Sequence, residues 1–217
     1  MPEVTGLSPA KRRSGWTEIQ LDRATPCLLP DEDVYRLRLE VGADLGETEL
    51  AAVLASAARA EAMRVGLRYL SVRPRSRREV ERRLRRDRID PAGIERALER
   101  LEALGYLDDG DFAAAFARDR IRLRPCGVRR MRSDLLARGV SPEAAEHGIR
   151  AAMAEEGVTE GALLDRVAAR RASRLKETEP ATARRRLFAY LARRGFSAGS
   201  VRAWIEAYWP EDDGSGA

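Results

Sequence analysis

Residues 74–101 read PRSRREVERRLRRDRIDPAGIERALERL, and the placing of the apolar residues in them decides the fold. Val80 and Leu84 share one helical face, as do Ile94 and Leu98, with Ile89 between the two pairs. Asp90 followed by Pro91 is a helix-start signal: the carboxylate accepts from free amides of the first turn, and proline fits the first helical position, where its missing N–H is no loss. The stretch therefore predicts helix, tight turn, helix.

Working outward, the same pattern returns twice. Moving each of these five apolar positions on by 51 gives Met131, Leu135, Val140, Ala145 and Ile149, and a further 56 gives Leu187, Leu191, Phe196, Val201 and Ile205. All fifteen are apolar. Pro74, Pro125 and Pro180 open the three segments, the last displaced by one residue. Gly139 and Gly195 stand where a helix ends in the left-handed conformation, with Arg88 as the exception, and Asp90, Ser141 and Ser197 follow as N-caps. An amphipathic helix precedes each proline, around Met63–Leu70, Phe112–Ile121 and Leu163–Leu175, so the chain predicts three tandem three-helix units.

Composition bounds what these units do. The 217 residues carry 40 Lys+Arg against 35 Asp+Glu, with 44% hydrophobic and 35% charged residues. That is apolar enough for a core and charged enough for solubility. No run approaches the 18 or so apolar residues of a membrane helix, and no secretory signal opens the chain, so the sequence is read as cytoplasmic. Cys27 and Cys126 are too few for a disulfide framework, and with His147 as the sole histidine a zinc site or a histidine-assisted nucleophile has little to draw on. No glycine loop has phosphate-cradling spacing. No catalytic residue, metal site or cofactor is expected.

Charge is segregated along the chain. From Asp31 to Glu61 eight acids face three arginines, whereas Arg73–Arg88 holds nine arginines against three acids. Arg118–Arg132 holds seven arginines against Asp119, and Arg166–Arg194 ten basic residues against Glu177 and Glu179. At the helical advance, Leu84 lies about 40° from Val80, while Arg78, Arg82 and Arg85 fall at about 160°, 200° and 140°, opposite the core. Arg129 and Arg185 occupy the place of Arg78 in the later units. Similar modules with a recurring basic position suit a partner that is itself extended and repetitive, such as nucleic acid or a protein filament.

The expected organisation is a flexible N-terminus (1–15), a small β-hairpin (16–47) in which Tyr35, Leu37, Leu39 and Val41 alternate as one strand and Ile19 and Leu21 mark a shorter partner, three repeats (59–107, 108–156 and 160–209), and an acidic flexible tail (210–217).

The residues now assembled resemble the RecX family of recombinase regulators. YLSVRPRSRREVERRL (Tyr69–Leu84) is similar to its most recognisable motif, and LGYLDDGDFAAAF (Leu104–Phe116) resembles the Gly-Tyr-Leu-Asp-Asp link between the first and second units. GVRRMRSDLLARGV (Gly127–Val140) resembles the corresponding segment of the second, and YLARRGF (Tyr190–Phe196) that of the third. The sequence departs from the pattern at Asp134, where glutamate is usual, at Arg88, and in the acidic region before Ala60. The resemblance implies three tandem three-helix units in an elongated arc. It also implies binding to RecA and to the groove of the RecA filament on DNA, with suppression of ATPase, strand-exchange and coprotease activities in recombinational repair and the SOS response.

On that reading the partner-binding residues are Arg73, Arg75, Arg78, Arg82, Arg85, Arg129 and Arg185, because the guanidinium fork pairs with carboxylate and phosphate alike. Ser76 is read as an N-cap and Asp108 as part of the cap of the helix holding Phe112. Weak, salt-sensitive DNA binding and a monomeric protein are expected, with no membrane contact. The rival readings are a helix-turn-helix transcription regulator and a nonspecific nucleic-acid binder. The helix after each turn has mixed charge and few base-reading residues, and the aromatic residues fall on or near apolar faces.

Overall fold

The computed structural model describes residues 1–209; the tail at 210–217, read from the sequence as acidic and flexible, lies outside the described residues. The chain is mainly helical, with a small antiparallel sheet at its start, and divides into two compact units, Met1–Leu107 and Asp108 onward.

In the first unit, β1 (Val4–Pro9), β2 (Trp16–Leu21) and β3 (Ala24–Pro30) pair antiparallel in that order. Val4 sits opposite Leu21, and Ile19 lies between Leu7 and Cys27, so Val4, Ile19, Leu21 and Leu29 fill one buried face. This corrects two expectations. Residues 1–15 are not structureless: Gly6, Ser8 and Pro9 blur the period of β1, and pairing with β2 supplies what local pattern lacks. The Tyr35–Val41 alternation is not a strand either. Asp31–Arg36 forms a short helix, α1, with Pro30 at its N-cap position and three acids in its first turn. Tyr35 is 87% and Val41 62% exposed, and Arg38 has φ 50°, outside the extended region. The sheet thus has three strands, of which only β2 was anticipated.

What fixes α1 is its buried Asp33. The Ser56 hydroxyl donates to its carboxylate at 2.6 Å, and Arg36 and Arg59 each donate at 2.9 Å. Burial alone would raise this carboxyl, but the three hydrogen-bond donors and the Arg59 charge together hold it below the ordinary carboxylate range.

Helix α2 (Glu47–Leu70) serves two cores. Its first half lays Val53 against the sheet, and its second half places Ala62 and Val65 with Val80, Leu84, Ile94 and Leu98 of α3 (Arg77–Arg86) and α4 (Pro91–Ala103). The long helix is therefore the first member of repeat 1 and also the support of the sheet.

The second unit continues with α5 (Asp109–Leu123), α6 (Val128–Leu136), α7 (Pro142–Glu155), α8 (Glu160–Ala172) extended by a 3-10 turn (Ser173–Leu175), α9 (Pro180–Arg193) and α10 (Ala198–Tyr208). These two repeats share one apolar core. Fourteen of the fifteen repeat positions are buried, and Ile89 is partly buried. The caps fall where the sequence places them. Asp90 accepts from the Gly93 amide at 2.9 Å, Ser141 from Ala144 at 3.2 Å and Ser197 from Ser200 at 3.0 Å. Asp108 accepts from Gly110 and Asp111 at 2.7 and 2.9 Å, which makes it the cap of α5.

Repeats 2 and 3 meet backbone to backbone. The Gly127 amide, at the start of α6, donates to the Arg194 carbonyl at 2.9 Å, and a Cβ on Gly127 would collide with the backbone of Gly195 in the turn after α9. Gly195 is needed twice over, for its φ of 84° and for the close approach of Arg130.

Candidate functional site

The arginine-rich helix of repeat 1, α3, is built outward from its cap. Ser76 is fully buried; its hydroxyl accepts from the Glu79 amide at 3.2 Å while the Glu79 carboxylate accepts from the Ser76 amide at 3.3 Å. This reciprocal pair contributes about 1 kcal/mol and sets where the helix begins. The loop arginines are drawn into the same device. Arg73 reaches Glu79 at 3.2 Å and donates to the Pro74 carbonyl at 2.8 Å. Arg75 lies 4.0 Å from the centre of the Tyr69 ring, and its Nε is buried with no hydrogen-bond partner among the described residues. Both therefore have roles within the protein, whatever else they touch.

The core face of α3 is held by Val80 and Leu84, and one flank is clamped to α4 by Arg77, which pairs with Glu95 at 2.6 Å and Glu102 at 2.8 Å. Burial would lower the Arg77 guanidinium, but the two carboxylates outweigh it and raise its affinity for the proton. Opposite the core, Arg78, Arg82 and Arg85 are exposed along one stripe. Arg85 pairs with Glu81 at 2.6 Å, an exposed contact of small energy. Arg129 and Arg185 are likewise exposed, on α6 and α9. The five residues from Arg73 to Arg85 thus belong to one repeat, and Arg129 and Arg185 to the second unit.

The second unit carries a basic feature that counting charges along the chain did not find. A cleft of about 450 Å³ is lined by seven arginines and by no acid. Arg122 and Arg124 come from the end of α5, and Arg166, Arg170, Arg171 and Arg174 from α8 and the turn after it. Arg194 closes the far wall beside Tyr190, with the guanidinium groups of Arg171 and Arg194 each 5.2 Å from the tyrosine ring centre. Two of these arginines brace the walls: Arg166 donates to the Ile121 carbonyl, and Arg194 to that of Pro125 at 3.1 Å. An adjoining recess of about 290 Å³ shares Arg124 and Arg194 and holds Asp134, which pairs with Arg120 and Arg130 at 3.0 Å each. The signal in the sequence was the second and third basic blocks; they converge through long-range contacts, Arg166 on the Ile121 carbonyl and Arg194 on that of Pro125 beside the glycine seam. Arg129 and Arg185 line neither recess.

Among the described residues there is no cluster of His, Cys, Asp and Glu able to hold a metal ion, and no helix long and apolar enough to cross a membrane. Cys126 is buried, which pushes its thiol above the ordinary cysteine range.

Comparison with known proteins gives concordant matches. The family models for the first, second and third three-helix domains of RecX match residues 62–101, 108–149 and 160–205. The regulatory protein RecX of Prosthecochloris aestuarii is 38% identical over 90 residues, 42% of this chain and 60% of that protein. That of Lactobacillus johnsonii is 29% identical over 161 residues, 74% of this chain and 59% of that protein. The match to these two relatives thus spans about three fifths of their length. The protein of Lactobacillus delbrueckii subsp. bulgaricus is 27% identical over 213 residues, 98% of this chain and 77% of that protein. In fold, a crystal structure of regulatory protein RecX aligns with a TM-score of 0.72 at 24% identity, covering 95% of this chain and all of that one. RecX from Lactobacillus salivarius aligns at 0.59 and 22% identity over 69% of this chain and 96% of that one.

Proposed function

Since this chain belongs to the RecX family, we propose that it is a non-enzymatic regulator of the RecA recombinase that binds the RecA filament on DNA. The observation that carries this reading is the recurrence of one exposed arginine at the same helical place in all three modules, Arg78, Arg129 and Arg185. Modules that repeat along a chain match binding sites that repeat along a filament, and each weak contact adds to the others through effective concentration. The stripe of Arg78, Arg82 and Arg85 and the loop arginines Arg73 and Arg75 engage acidic patches of RecA or phosphates of its DNA. Occupying the filament groove in this way blocks the path of a second DNA and restrains the subunits, which lowers ATPase, strand-exchange and coprotease activity and so tunes recombinational repair and the SOS response. The protein acts in the cytoplasm, as a monomer, with only weak affinity for DNA alone.

The test is the ATPase of RecA on single-stranded DNA, titrated with this protein beside a DNA-only binding assay at the same salt. Inhibition at concentrations where DNA binding is negligible is expected. Unaffected ATPase together with sequence-selective binding to duplex DNA would replace this reading with that of a helix-turn-helix transcription regulator.

A further inference from the structure

The arginine cleft of the second unit has no part in the reading above, and its chemistry points to a ligand of its own. Seven arginines line one space, and of these Arg122 pairs with an acid, Glu156, at 2.6 Å. Arg124, Arg170 and Arg174 are exposed, and no ion pair engages them among the described residues. Like charges gathered along one cleft repel one another, and a multiply charged anion bound there would offset that repulsion. The Nε of Arg171, beside Tyr190, is buried without a hydrogen-bond partner among the described residues, a second donor left open at the same place.

The spacing narrows the anion. Arg166, Arg170 and Arg174 recur every four residues along α8 and its 3-10 extension, a rise of about 6 Å for the first step and about 7 Å for the second. These steps are comparable with the distance between successive phosphates along a nucleic-acid strand and are longer than the step between the anhydride-linked phosphates of a free polyphosphate. We propose that this cleft is a binding site for consecutive phosphate groups, seating two or three of them along the Arg166, Arg170, Arg174 row with Arg124 opposite. The spacing favours a single strand as their source over a free polyphosphate. The site stands on its own geometry and needs no recombinase.

The experiment uses the full chain without RecA. Binding of a fluorescent oligothymidylate is measured by anisotropy across a salt series, with inorganic tripolyphosphate and polyglutamate as competitors. The variant Arg170→Glu/Arg174→Glu is compared with Arg96→Glu/Arg100→Glu, which makes the same charge change on exposed positions of α4. Far-ultraviolet circular dichroism checks that each is folded. The cleft variant should bind about tenfold or more weaker than the control variant, and its plot of log affinity against log salt should be shallower by about 1.4, the loss of two single-strand phosphate contacts. Competition by tripolyphosphate at matched phosphate concentration would assign the site to free polyphosphates as well, and its failure to compete would assign the site to strands. Equal losses in the two variants, or displacement by polyglutamate with no binding of either phosphate ligand, would overturn the proposal.

Discussion

Arg88 holds φ 62°, in the left-handed region that Gly139 (φ 85°) and Gly195 (φ 84°) occupy in the other two repeats. The turn after each arginine-rich helix therefore has one backbone shape, and repeat 1 makes it with a side chain that resists it. A left-handed residue with a Cβ costs about 1–2 kcal/mol, and glycine returns about 0.5–1 kcal/mol of that through the entropy of the unfolded chain. Arg88→Gly should thus raise stability by about 0.5–1 kcal/mol in urea unfolding; a fall would mean that the arginine side chain makes contacts worth more than the strain. Asp33 gives a prediction of opposite sign. Its carboxyl is depressed in the folded state, so its contribution is present above the unfolded value near pH 4 and is lost as the pH falls through the lower folded value. Asp33→Asn should cost about 2 kcal/mol at neutral pH, discounted because Arg36 and Arg59 are half exposed. The gap between the variant and the parent should close in strong acid, and an unchanged gap there would remove the charge from the account.

At the scale of elements, the seam between α6 and the α9 turn carries the second unit. Gly127 has no room for a methyl group because the Gly195 backbone occupies it, and its amide is already committed to the Arg194 carbonyl. Gly127→Ala should destabilise the chain by about 2 kcal/mol or more in thermal or denaturant unfolding, since relief requires moving a main chain and not a flexible side chain. Loss of less than about 0.5 kcal/mol would show that the two repeats tolerate separation there. The same seam brings Arg194 to the Pro125 carbonyl, which accepts from its guanidinium at 3.1 Å. The Arg194 side of the basic cleft therefore depends on a contact between residues 68 positions apart, Gly127 and Gly195. No local reading of either basic block contains that contact.

For the molecule as a whole, the three modules act together in the proposed function, and the α3 stripe is where that can be challenged. Reversing Arg78, Arg82 and Arg85 to glutamate touches no core position and, among the described residues, breaks only the exposed pair of Arg85 with Glu81. The triple variant should keep its melting temperature within a few degrees and lose at least about tenfold in potency against RecA ATPase. Unchanged potency would take α3 out of the interface and leave the later modules to carry it.

Much of this protein was legible before any coordinates. The helix class, the triple repeat, the caps at Asp90, Ser141 and Ser197, and the outward arginines of α3 follow from relations within about four residues, or from a register that recurs intact. Such relations survive in the sequence because helical hydrogen bonds and caps are local. The N-terminal sheet was legible only in β2. The strand-like alternation at Tyr35–Val41 lost to a helix held by Asp33, whose partners Ser56 and Arg59 lie more than twenty residues away. The arginine cleft was visible only as separate charge counts. Its existence was decided by tertiary structure, because like charges distant in sequence are gathered only when the packing energy of the cores around them outweighs their repulsion, and that balance is a property of the folded chain and not of any segment in it.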